Sequence, residues 1–118
     1  MTHARRRRMI RRIEVVGESM TPALEPGDRV IVLGVGRLRT GDLVACVDPR
    51  DRELVMVKRV AGRDPGGGYI VLGDNSDAST DSRHFGPIDD SSIIGRLIYR
   101  YLPGPRAGFI WRRSPAQR

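Results

Sequence analysis

The sequence predicts a mainly β domain, a compact antiparallel sheet or partial barrel with few or no helices. Three observations lead there. Apolar residues come in short runs of strand length, rich in Val, Ile and Leu, and no long stretch follows the 3.6-residue period of an amphipathic helix. Turn residues separate the runs at regular places, Pro26-Gly27-Asp28, Thr40-Gly41-Asp42 and Leu72-Gly73-Asp74, and such Gly-Asp pairs sit beside strands. Finally, 118 residues with 5% aromatics fit one small domain, which buries about two thirds of the surface its unfolded chain exposes.

In chain order, strands are expected near 12–17, 28–34, 42–48, 53–61, 68–73 and 93–102. The first runs into Gly17. The second and third each start on the aspartate of a Gly-Asp turn, and the fourth carries Leu54-Val55-Met56-Val57-Lys58-Arg59-Val60. Asp64-Pro65-Gly66-Gly67-Gly68 reads as a hairpin tip. It lacks the Lys-Ser/Thr of a phosphate loop, which excludes that reading. Residues 1–12 are a basic arm, 13–102 the folded body, and 103–118, with three prolines and four arginines, a loose basic tail. There is no internal repeat and no second domain.

The net charge of +7 is unevenly spread. Residues 1–12 hold six arginines and no acid, residues 99–118 hold five more, and the segment between them sums to −4. Such ends are expected to solvate the termini, or else to touch nucleic acid, an anionic membrane surface or an acidic partner; of these, weak peripheral membrane contact is kept as an expectation and a nucleic-acid partner is not. Cys46 is the single cysteine. It permits no internal disulfide, suits a reducing compartment, and reads as a core thiol beside Val44 and Val47. With His3 and His84 the only other soft ligands, no metal site or cofactor is expected. No stretch approaches the ~20 apolar residues of a membrane span, and the basic start lacks the apolar core of a secretory signal. The expectation is a soluble, cytoplasmic chain.

Arginine occurs 20 times and lysine once, at Lys58, inside an apolar run. Arginine supplies charge but cannot give up its proton near neutral pH, whereas a lysine buried among apolar groups can. On an alternating strand Lys58 shares a face with Leu54, Met56 and Val60, so it reads as a base. Ser19 leaves a strand through Val15-Val16-Gly17-Glu18-Ser19-Met20-Thr21-Pro22, a setting that exposes a hydroxyl and a nearby N–H. A serine is a poor nucleophile until a base takes its proton, and a neutral lysine serves if its pKa is lowered enough. His84 is the competing base, beside the polar loop from Gly73 to Ile88. That loop reads either as a hydrogen-bonded scaffold or as a solvated loop with Asx turns.

Gly-Glu-Ser-Met-x-Pro-x-Leu, then Val-Lys-Arg-Val-Ala-Gly, then Gly-Asp-Asn-Ser-x-x-Ser-x-Asp-Ser-Arg-x-x-Gly resemble the signature boxes of type I signal peptidases, in the same order, over residues 13 to about 101. The resemblance implies a β fold of the signal peptidase type and a Ser/Lys dyad, with Ser19 as nucleophile and Lys58 as general base. Ser79 would orient the lysine, and Asp81 and Arg83 would form a structural ion pair. Substrate would lie as a strand between residues 12–17 and 54–58, bound by Ile13, Val15, Met20, Leu24 and Met56, with Ile13, Met20 and Leu24 near a shallow pocket for small side chains. Two positions depart from the family. Gly17 stands where many bacterial members place a serine that helps bind the oxyanion, which leaves the Ser19 N–H for that task, and Ala23 replaces the usual threonine.

An anchor-free form of these boxes is similar to the maturation proteases of nickel-type superoxide dismutase. The implied partner is therefore a soluble precursor, that dismutase, losing a short N-terminal pro-segment. The alternatives are a signal peptidase held peripherally at the membrane, and a non-catalytic basic β module binding nucleic acid. A self-cleaving repressor with the same dyad would need a DNA-binding domain and a scissile bond upstream of Ser19, which only 18 residues precede.

Overall fold

In the computed structural model, which describes residues 9–34 and 36–110, the alternating runs become seven strands: β1 (Ile10–Glu14), β2 (Arg29–Leu33), β3 (Leu43–Asp48), β4 (Asp51–Arg63), β5 (Tyr69–Leu72), β6 (Ile93–Leu102) and β7 (Gly108–Phe109). Among the described residues the one α-helical turn is α1 (Ser82–Phe85), and three single 3-10 turns cover Ser76–Ala78, Asp90–Ser92 and Gly104–Arg106. The strands form one open antiparallel sheet in the order β1-β2-β6-β3-β4-β5, with β7 beside β6. The mainly β, antiparallel expectation holds.

β3 explains how so small a chain builds its interior. Leu43-Val44-Ala45-Cys46 is buried on both faces, and alternation sends successive side chains to opposite sides. Val44 and Cys46 join Met56, Val60, Tyr69, Val71, Ile88 and Ile93 in one apolar cluster. Leu43 and Ala45 join Val15, Met20, Leu24, Val30, Val32 and Leu97 in another. The sheet is thus packed on both sides, and Lys58, opposite Val44 in the β3–β4 register, projects toward the first cluster.

β4 is the longest element. Its first half pairs with β3, and only from Arg59 onward does β5 cover its other edge, past an irregularity between Val60 and Gly62. Residues 51–57 therefore present one strand edge without a strand partner among the described residues. The β3–β4 turn is fastened by Asp48, which accepts from the Arg50 backbone and guanidinium at 2.7–3.0 Å.

Three regions differ from expectation by two residues or more, and the other strand ends by one at most. β1 runs over 10–14 instead of 12–17. Val15 still exchanges backbone bonds with the 27–28 turn, but Val16 is exposed and Gly17, at φ +80°, turns the chain out of the sheet. β4 extends two residues beyond expectation at each end. Residues 103–110, expected as part of a loose tail, carry a 3-10 turn and β7. Arg106 reaches the buried Asp28 at 2.7 Å and Phe109 meets Tyr99 edge-on at 5.0 Å, contacts that composition alone does not reveal. Residues 10–12 of the expected basic arm belong to β1, while residues 1–8 of the arm and 111–118 of the tail lie outside the described residues. Among the described residues, no helix is long and apolar enough to cross a membrane.

Candidate active site

Ser19 sits in the turn after β1, half-buried. Met20 and Leu24 anchor that turn in the second cluster, joined by the Leu24 N–H to Met20 carbonyl bond of 2.9 Å. From the other side Asn75 holds it. The Asn75 backbone N–H donates to the Ser19 carbonyl at 2.8 Å, and its side-chain amide donates to the Glu18 carbonyl and the Thr21 hydroxyl at 3.2 and 3.0 Å. The loop after β5 thereby fixes the serine against the sheet.

Lys58 is 4% exposed, flanked on its face by buried Met56 and Val60 with Cys46 nearby on β3. Leu54, expected on the same apolar face, is 49% exposed, because the first half of β4 projects beyond the cluster. Burial pulls the Lys58 amine below the ordinary lysine range, and the charge of Asp81 pulls it partly back. The neighbouring Cys46 thiol, pushed up to about 12 by burial, stays neutral and does not compete as an anion.

A chain of hydrogen bonds runs away from the lysine. Lys58 Nζ lies 3.1 Å from Ser79 Oγ, and Ser79 Oγ donates to Asp81 Oδ2 at 2.7 Å. Asp81 also accepts from the Gly73 N–H at 2.8 Å, from Arg83 Nε and Nη2 at 2.9 and 2.5 Å, and from the Arg83 N–H at 3.1 Å. Burial works against the Asp81 charge, but the Arg83 side chain, the Gly73 N–H and the Ser79 hydroxyl together hold its carboxyl far below the usual carboxylate range.

This fixes the polarity of the chain. A hydroxyl has one proton, an ionised carboxylate can only accept, and the Ser79 proton therefore points at Asp81. Lys58 must donate to Ser79. A neutral amine held that way keeps its lone pair for another group. His84, the competing base, spends Nδ1 as acceptor of the Asp81 N–H at 3.3 Å in the cap of α1, with its side chain 57% exposed.

Gly73 is where the two halves meet. A Cβ there would collide with the Ser79 side chain and lie 2.8 Å from the Ser19 carbonyl oxygen. The structure thus brings Lys58, Ser79, Asp81 and Arg83 into one network and sets the Ser19 turn against it. Among the described hydrogen bonds, Nζ pairs with Ser79 rather than with the Ser19 hydroxyl, and none uses the Ser19 N–H. Gly73 and Asp74 are expected only as a turn, and Asn75 only as part of a polar loop; the sequence assigns no site role to them or to the Arg59–Asp74 ion pair (2.7 Å, both side chains nearly buried). The signal was present, since Gly-Asp-Asn follows β5 and Arg59 adjoins the lysine, but spacing does not show which carboxylate an arginine meets.

The expected pocket residues are placed differently. Val15, Met20 and Leu24 are 3%, 1% and 1% exposed inside the second cluster, and Met56 at 9% belongs to the first. Ile13 is half-buried against the second. These side chains hold the turn and β4 in place. The exposed apolar residues of the two flanking segments are Val16 at 85%, Leu54 at 49% and Val55 at 40%. Among the described residues, no group of three or more His, Cys, Asp or Glu is arranged to hold a metal.

The sequence matches the family described as signal peptidase, peptidase S26, over residues 2–66 and 63–102. It is 32% identical over 129 aligned positions to the mitochondrial ATP-independent inner membrane protease subunit 1a of Arabidopsis thaliana, covering 87% of this chain and 77% of that one. It is 31% identical over 122 positions to the mitochondrial inner membrane protease subunit 1 of Mus musculus, with 84% and 73% covered. A shorter stretch of 39 positions is 51% identical to signal peptidase IB of Staphylococcus aureus, 33% of this chain and 20% of that one.

Proposed function

The chain belongs to the signal peptidase family, peptidase S26, and on that premise we propose that it is a serine endopeptidase working through a Ser19/Lys58 dyad. The observation that carries the reading is the buried Lys58 bound to Ser79, whose own proton is committed to Asp81. The neutral amine takes the Ser19 proton as Oγ attacks the scissile carbonyl. The Ser19 N–H stabilises the oxyanion, and the resulting ammonium gives its proton to the departing amine. Water then releases the acyl group, with Lys58 again as base.

Substrate binds extended along the uncovered edge of β4 at 51–57 and beside residues 15–17, gaining backbone hydrogen bonds as an added strand. The preferred substrate is the N-terminal pro-segment of a soluble cytoplasmic precursor, nickel superoxide dismutase, because the three boxes resemble those of its maturation protease. A second reading, a signal peptidase acting at a membrane surface, is favoured by the names of the two mitochondrial relatives and by the exposed Val16, Leu54 and Val55. Purified protein is incubated with the dismutase precursor without lipid, and the new N-terminus is read by mass. A single cut that Ser19→Ala abolishes supports the first reading. An intact precursor, with a secretory preprotein cut once liposomes are added, replaces it with the second.

A further inference from the structure

Beside the loop that carries Ser79 lies an open cavity of about 280 Å³, bordered by Gly73, to which the proposed peptidase reaction assigns no step. Its polar wall comes from four separate elements: Thr40 in the β2–β3 turn, Arg59 on β4, Asp74 and Ser76 after β5, and Arg83 in α1. We propose that this cavity is a binding site for a small oxyanion, a phosphate group, held by Arg59 and Arg83 with the hydroxyls of Thr40 and Ser76.

The donor inventory carries the proposal. A guanidinium has five N–H groups and no acceptor. Arg59 commits Nε and Nη2 to Asp74 at 2.8 and 2.7 Å and one Nη1 hydrogen to the Gly41 carbonyl at 2.8 Å. Arg83 commits Nε and one Nη2 hydrogen to Asp81. Both arginines therefore retain N–H donors among the described residues, and two hydroxyls add to them. The carboxylate on the wall, Asp74, has each oxygen engaged by Arg59.

Because each arginine is already matched by an aspartate, net charge supplies little of the attraction, and directed donors supply the rest. Donors arriving from four elements suit a tetrahedral group with several acceptor oxygens better than a planar carboxylate, which one bidentate arginine satisfies. Occupancy ties the β2–β3 turn to the loop bearing Ser79, so a ligand bound to the folded state raises thermal stability. The same phosphate chemistry is offered by free phosphate and by an anionic lipid headgroup.

The test titrates inorganic phosphate into the full chain at constant ionic strength, read by phosphorus NMR and by thermal unfolding. Wild type is compared with the double variant Thr40→Val/Ser76→Ala, since neither residue belongs to the proposed dyad network and peptidase activity reports that the variant is folded. The expected result is saturable binding with a rise in Tm in wild type, weakened at least tenfold in the double variant. Signals that follow ionic strength alone, or equal affinity in the two proteins, overturn the site. Co-sedimentation with phosphatidylglycerol vesicles then separates the sources. Vesicle binding that the double variant loses identifies a headgroup, and saturable phosphate binding without it identifies the free anion.

Discussion

At the scale of single residues, Lys58 does what no arginine in the chain can. Lys58→Arg keeps the charge and most of the stem but leaves no amine to deprotonate, and Ser19→Ala removes the proposed nucleophile. Each is expected to lower kcat by about 10⁴–10⁶ with the fold intact by circular dichroism. More than a few per cent of activity in folded Lys58→Arg sinks the base assignment. Ser79→Ala removes one orienting bond, worth about 0.5–1.5 kcal/mol net. Once misorientation is added, a loss of several-fold to a few hundred-fold is expected, and an unchanged rate makes the loop only a scaffold.

The lowered Lys58 pKa has a sign that can be checked twice. kcat/KM should rise with pH as the free enzyme loses the Lys58 proton, with its limb well below the ~10.4 of a free lysine. Stability follows the same proton. Between the folded-state pKa and about 10.4 the unfolded chain still holds a proton that the folded chain has released, so this lysine's contribution to stability grows as pH rises through that window. Cys46 works oppositely, since its folded pKa is raised to about 12, and its contribution is lost as pH rises past the unfolded thiol value. Urea unfolding of wild type against Lys58→Met, across pH, isolates the first effect because the chain has no other lysine. Parallel pH curves, or an activity limb still near 10, contradict a desolvated base.

At the scale of elements, the site is a junction between a turn, a strand and a loop, and Gly73 is its tightest point. Gly73→Ala drives a methyl into Ser79, which Asp81 holds, and toward the Ser19 carbonyl, which the Asn75 N–H holds. Neither neighbour can move without opening the network. Overpacking of this kind costs about 1–3 kcal/mol, and a displacement near 1 Å at reacting groups about 10²-fold in rate. Steady-state kinetics on a variant that still melts cooperatively tests this, and near-wild-type kcat shows that the loop yields. Six of the seven strands were legible, because period-2 alternation and Gly-Asp turns are local, whereas the two-residue β7 carries no such pattern. The face of Lys58 was legible for the same reason. The pocket residues were not. Val15, Met20 and Leu24 look alike in sequence whether they wall a cleft or fill a core, and only the second sheet face, built by Leu43, Ala45 and Leu97, decides for the core.

At the scale of the whole molecule, what composition shows is a mildly acidic body between basic ends, and it cannot show that part of the C-terminal end is built into the fold. Asp28 is 1% exposed and accepts from Arg106 at 2.7 Å, Arg100 at 3.2 Å and the Glu25 N–H at 2.9 Å. These bonds join the turn before β2 to β6 and the segment after it, 78 positions apart in the case of Arg106, a separation at which sequence spacing carries no contact information. Arg106→Ala leaves the buried carboxylate two partners instead of three. The expected cost is about 1–2 kcal/mol, seen as a fall in Tm of roughly 3–8 °C for a domain of this size. Because the Asp28 network lies outside the Lys58–Ser79–Asp81 chain, kcat/KM below the transition should stay within about twofold of wild type. An unchanged Tm makes the clasp a surface contact worth little, and a large loss of activity at unchanged Tm means the C-terminal segment touches substrate.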